Sequence, residues 1–182
     1  FGTAQAVRSI GNPSTRGHRM AAQRVALIGH SGAGKSASLV KLGIDRNSGD
    51  MDVVVGKECP SLVSALGWLA NTDGVPVVVV SNHEQLLVEL RQAKRAGRQT
   101  EQFTMIRFVY LHKPKDELRA HLAMRTTGGC NREPAGVKYT LDHYGRLHAL
   151  FSELSDQTVQ CAKKSVEVIA AEIQGIAQSL QV

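Results

Sequence analysis

The octapeptide Gly29-His30-Ser31-Gly32-Ala33-Gly34-Lys35-Ser36 constrains this chain more than any other feature. It fills the pattern G-x-x-x-x-G-K-[ST]. The apolar run Val25-Ala26-Leu27-Ile28 enters it, and a stretch carrying Leu39, Val40 and Leu42 at helical spacing leaves it. A strand, a glycine loop and a helix in that order make a phosphate cradle. The glycines let the backbone curl so that several N–H groups face one phosphate, and the helix N-terminus adds a partial positive charge. Lys35 supplies a full charge between the β- and γ-phosphates, and Ser36 offers its hydroxyl to Mg²⁺. A chance glycine-rich turn would lack both flanks. The expected ligands are therefore ATP and Mg²⁺, with Gly29, His30, Ser31, Gly32, Ala33, Gly34, Lys35, Ser36 and Ala37 forming the cradle. The motif does not name the reaction.

From Arg24 onward, short apolar runs alternate with helical stretches, the pattern of a parallel α/β sheet. Strands are expected at residues 25–28, 52–55, 76–80, 105–111 and 157–161. Val77-Val78-Val79-Val80 reads as a strand buried on both faces. Helices are expected to start at the glycine loop and to recur near residues 60–70, 83–96, 114–125, 137–154 and 165–180. In the last two, Leu141, Tyr144, Leu147, Phe151 and Leu154, and then Ile169, Ile173, Ile176 and Leu180, fall on single faces and suit a core.

The 182 residues allow one domain, placed at residues 23–182. No apolar run approaches the roughly 20 residues that a membrane span needs. Residues 1–22 hold three arginines, no acid and no periodic apolar pattern. They are expected to be a disordered leader or a remnant of cloning that precedes Met20, although an Arg-rich, acid-poor leader also resembles a transit peptide. Cys59, Cys130 and Cys161 form no Cys-x-x-Cys pair, which argues against a zinc site or disulfide framework and for a reducing, cytoplasmic home. The formal charge of +6 suits a polyanion, nucleotide or nucleic acid. Aromatic residues are only 4% of the chain, too few to build platforms for stacking bases, so nucleic acid is the weaker partner.

Three features make residues 24–182 resemble the small P-loop kinases, the group of shikimate kinase, gluconate kinase and the nucleoside monophosphate kinases. The loop Gly-His-Ser-Gly-Ala-Gly-Lys-Ser is similar to the shikimate kinase form. Asp50-Met51-Asp52 stands near where those kinases carry Asp-x-Asp at the second strand. The stretch from Thr140 through Asp156 to the final helix resembles their C-terminal half. The resemblance implies a three-layer P-loop NTPase fold with a five-stranded parallel sheet in the order 2-3-1-4-5, helices on both faces and a lid near residues 125–137. It also implies phosphoryl transfer from ATP to a small-molecule acceptor, by a monomer or homodimer.

The two aspartates also have a reading of their own. A carboxylate at the end of a strand beside the γ-phosphate can hold metal or take a proton from an attacking hydroxyl. Asp52 is assigned to metal and catalysis with Ser36 and Lys35, and Asp50 stays open between substrate contact and a solvated turn. Arg132, with Arg125 behind it, is the lid arginine that would neutralise the transferred phosphoryl group; an ordinary surface arginine is the alternative. Arg146 is open between gripping an anionic acceptor and facing water.

Shikimate kinases carry a glycine triplet after the third strand. This chain has Ser81-Asn82-His83-Glu84, which argues against shikimate as the acceptor. Asn82 stands where an open α/β sheet presents ligand contacts, or else it caps the next helix. A nucleotide kinase, and an NTP-hydrolysing switch or nucleic-acid-associated ATPase, are the competing functions. The first would need arginines such as Arg91, Arg95 and Arg98 on the acceptor's phosphate.

Overall fold

The computed structural model describes residues 23–54, 59–71, 75–96, 101–127 and 134–180; the side chains of residues 71, 101–102, 125–127 and 134–136 lie outside that description. The leader at residues 1–22 also lies outside it.

β1 (Arg24–Ile28) is flanked by β2 (Val77–Val79) on one side and by β3 (Ile106–His112) on the other, with β4 (Gln157–Gln160) beyond β3. All three pairings are parallel; Ala26 lies opposite Val78 and Phe108, and Leu111 opposite Val159. The helices are α1 (Lys35–Lys41), α2 (Arg46–Gly49), α3 (Met51–Val54), α4 (Leu62–Asn71), α5 (Glu84–Arg95), α6 (Glu101–Thr104), α7 (Lys115–Thr127), α8 (Pro134–Asp142), α9 (Tyr144–Leu154) and α10 (Val166–Ser179).

The period of two along each strand divides the core between the two faces of the sheet. Ala26, Ile28, Val78, Phe108 and Tyr110 pack with Leu69, Leu87, Leu90 and Phe151 from α4, α5 and α9. Val25, Leu27, Val77, Val79, Val109 and Leu111 pack with Leu39, Ile169 and Ile173 from α1 and α10. Both layers are needed because a parallel strand is apolar on both sides.

The expected five-stranded sheet in the order 2-3-1-4-5 is corrected here. Among the described residues it has four strands in the order β2-β1-β3-β4. The strand expected at residues 52–55 is not formed. Its position at the outer edge of β2 is marked by a single parallel bridge, Asp50 to Val79. The Asp50 carbonyl then accepts from the amides of Val53 and Val54, which winds Met51–Val54 into a helical turn. Val53 and Val54 are exposed there. Their β-branched side chains favour strands where neighbours pack on them, and an outer edge supplies none. The single helix expected at residues 137–154 is divided into α8 and α9 at His143.

Candidate active site

The glycine loop leaves β1 at Gly29 and closes into α1 at Gly34. Gly29, Gly32 and Gly34 hold φ angles of 147°, 92° and 102°, a region that side chains disfavour. A Cβ on Gly29 would lie 2.8 Å from the Leu111 carbonyl oxygen, and one on Gly32 would lie 2.9 Å from Leu122 Cδ2. The loop is therefore seated between the end of β3 and the face of α7. Gly34 is the N-cap of α1 and offers no side chain to its first amides.

Lys35 lies folded against the loop it serves. Its Nζ donates to the carbonyls of Gly29 (2.6 Å) and His30 (3.3 Å) and to Asn82 Oδ1 (3.1 Å). Asn82 stands just beyond the C-terminal end of β2. Ser36 Oγ donates to Asp50 Oδ2 at 2.8 Å. The same oxygen accepts from Arg46 Nε and Nη2 at 3.2 and 3.1 Å. Asp50 is the buried carboxylate of the pair, whereas Asp52, on the helical turn beyond it, is exposed.

Two cavities meet here. A cradle of about 90 Å³ is lined by Ser31, Gly32, Gly34, Lys35, Ser36 and Ala37, with Asp52, Val79 and Asn82 on its far side. A second cavity of about 480 Å³ is lined by His30, Ser31, Arg46, Asp52, Val53, Ser81, Asn82, His83, Tyr139, Thr140, Leu147 and Phe151. Ser31, Asp52 and Asn82 belong to both. Leu147 and Phe151 give the second cavity an apolar side, opposite amide, hydroxyl and carboxylate groups.

His30 is buried, stacked on Tyr144 at 4.3 Å and met edge-on by Phe151 at 5.1 Å. Neither ring nitrogen has a hydrogen-bond partner among the described residues. Burial, and then Lys35, His148 and His112, push its pKa from 6.5 down to about 3, so the imidazole is neutral. Behind it, Tyr110 Oη and His148 Nδ1 are 2.9 Å apart, and Tyr144 Oη donates to the Lys113 carbonyl at 2.9 Å.

Arg146 lines neither cavity. Its guanidinium is paired with Glu84 in the first turn of α5, and Tyr139 Oη donates to the other oxygen of that carboxylate at 3.0 Å. These partners hold the Glu84 carboxyl below its usual range. Arg132 lies outside the described residues, and of Arg125 only the backbone, in α7, is described.

Ser36 and Asp50 bring two hard oxygen ligands side by side. Among the described residues no cluster of three or more His, Cys, Asp or Glu could cage a metal unaided. The pair therefore fits Mg²⁺, which keeps several waters and shares phosphate oxygens with its protein ligands.

The sequence reading missed Arg46 and Glu84. Arg46 precedes Asp50 by one helical turn, a spacing that pairs opposite charges. Glu84 opens the helix after the third expected strand, at the end of the segment Ser81-Asn82-His83-Glu84 in which Asn82, and not Glu84, is weighed for ligand contact.

No protein-family model matches the chain, and no curated protein matches its sequence. Among solved structures, it is similar to shikimate kinase from Acinetobacter baumannii in complex with shikimate. The two are 14% identical over 88% of this chain and 95% of that one, with a TM-score of 0.49. A superposition that loose carries no activity across.

Proposed function

We propose that this protein is an ATP-dependent phosphotransferase that moves a γ-phosphate to a hydroxyl of a small polar metabolite. The observation that carries this reading is the shared wall: a cradle built for phosphates opens onto a larger cavity through Ser31, Asp52 and Asn82. A nucleotide-binding switch needs the first cavity and has no use for the second.

In this reading Lys35 and the loop amides hold the β- and γ-phosphates, and little covalent chemistry is left for the protein beyond positioning and charge neutralisation. Mg²⁺, when bound beside Ser36, would offset the charge shared between the two phosphates. The roles of the two aspartates follow their burial. Asp50, held by Ser36 and Arg46, takes the metal side; Asp52, exposed on the shared wall, faces the acceptor and accepts its hydroxyl proton. Arg132, with Arg125 behind it, remains the proposed lid arginine.

The acceptor favoured here is uncharged. Arg146 is already satisfied by Glu84, and Arg46 by Asp50. A carboxylate or phosphate on the acceptor would find neither arginine waiting for it. The nucleotide-kinase alternative is weakened on the same ground, since Arg91 and Arg95 are paired with Glu153; Arg98 lies outside the described residues.

Two substitutions test the assignment. Lys35→Ala is expected to abolish MgATP binding measured by calorimetry. Asp52→Asn is expected to leave MgATP affinity within about threefold and to lower transfer by roughly 10²–10⁴-fold, the range for loss of a positioned base. Full transfer by Asp52→Asn would remove Asp52 from the catalytic role.

A further inference from the structure

A lysine ammonium has three N–H donors. The contacts of Lys35 with the Gly29 carbonyl, the His30 carbonyl and Asn82 Oδ1 engage as many. A triphosphate entering the cradle therefore competes with these contacts for the ammonium. Two of these acceptors are backbone carbonyls in a loop held by its neighbours: a Cβ on Gly29 would meet the Leu111 carbonyl oxygen at 2.8 Å, and the His30 ring stacks on Tyr144. The third is a side chain that turns about its own bonds, half-buried on the wall between the cavities.

We infer that Asn82 is a positioning residue that couples the two cavities: nucleotide phosphate takes Lys35 from it, and its released carboxamide then binds the acceptor hydroxyl. This rests on the cradle being a triphosphate site. While Lys35 holds Oδ1, one of the oxygen's two lone pairs is engaged by a cation and the carboxamide is held in the orientation that the ammonium sets. Once freed, a carboxamide offers both an acceptor and two donors, which suits a hydroxyl that must be oriented for attack. The acceptor site is thus completed only when nucleotide is present, and each ligand tightens the other by the same factor.

The test needs no knowledge of the acceptor. MgADP binding to the full chain is measured by calorimetry for wild type, Asn82→Ala and Asn82→Asp. Removing the side-chain acceptor spares the nucleotide the displacement, so Asn82→Ala is expected to bind MgADP about fivefold tighter, the scale of one net hydrogen bond. A carboxylate at the same place holds the ammonium harder, so Asn82→Asp is expected to bind about fivefold weaker or worse. A residue with only a structural role would shift both variants in the same direction. Asn82→Leu, of similar size and without an acceptor, is expected to match Asn82→Ala and keeps the test open should either variant melt early. Asn82→Ala and Asn82→Leu binding no tighter than wild type, or Asn82→Asp binding no weaker, overturns the coupling. Wild type that fails to bind MgADP overturns the nucleotide reading beneath it, a separate result.

Discussion

Asp50 and Asp52 stand at different depths: Asp52 lines both cavities, and Asp50 lies buried behind Ser36, outside the lining of either. The buried carboxylate of Asp50 already has the Ser36 hydroxyl and the Arg46 guanidinium on one oxygen, so its charge is compensated and its position fixed. Asp52 is exposed to both cavities and can exchange one partner for another as ligands arrive. His30 is the other residue whose burial has a measurable consequence. Folded, its imidazole stays neutral down to about pH 3, whereas its ordinary value is 6.5. Below about pH 6.5 the unfolded chain therefore binds a proton that the folded chain refuses, so stability is fully present above that point and falls as pH falls. The slope from this one group is about 1.4 kcal/mol per pH unit. His148, also lowered by burial and by its neighbour His112, acts in the same direction. Urea denaturation between about pH 6 and 4 is expected to show this loss, and His30→Phe, which keeps the stacking on Tyr144, is expected to flatten it. An unchanged slope in that variant would mean that His30 takes up its proton without unfolding.

At the scale of elements, the glycine loop and the outer edge of the sheet behave differently. The loop is fixed by what surrounds it. Gly29→Ala would drive a methyl group into backbone at β3 and is expected to lose more than about 3 kcal/mol. Gly34→Ala, with open space around its Cβ, bears only the strain of its left-handed φ, about 1–2 kcal/mol. Urea midpoints of the two variants check that ranking; equal losses would show that contact with β3 does not seat the loop.

The loop and the strand before it were legible in the sequence because every local signal agreed: β-branched and apolar residues, then glycines at the positions that need positive φ, then a helix-forming run. The outer edge was not legible. Val53-Val54 has strand-like composition, but a strand there needs a partner for more than one residue, and only Asp50 reaches Val79. The sequence does not show the contacts of Ser36 and Arg46 with Asp50 that hold this edge. Arg146 was left open for a similar reason. Its partner Glu84 lies far away in sequence, and only the packing of α9 against α5 brings the two together.

At the scale of the whole molecule, the β2-β1-β3-β4 order places the C-terminal ends of β1 and β2 next to each other, and both cavities open there. The glycine loop follows β1 and Asn82 follows β2, so the two loops leave adjacent parallel strands, the usual place for a site in an open α/β sheet. The position of both cavities is therefore a consequence of sheet order, with the apolar layers on both faces holding the strands in register. Transfer of the γ-phosphate to a hydroxyl is the proposed reaction. The most direct measurement follows the label from γ-labelled MgATP when the protein is given neutral polyols, sugars and nucleosides, the matching sugar acids, nucleoside monophosphates and single-stranded nucleic acid. Label on a neutral hydroxyl compound, absent with Lys35→Ala, is the expected result; label released only as inorganic phosphate, stimulated by nucleic acid, would contradict it.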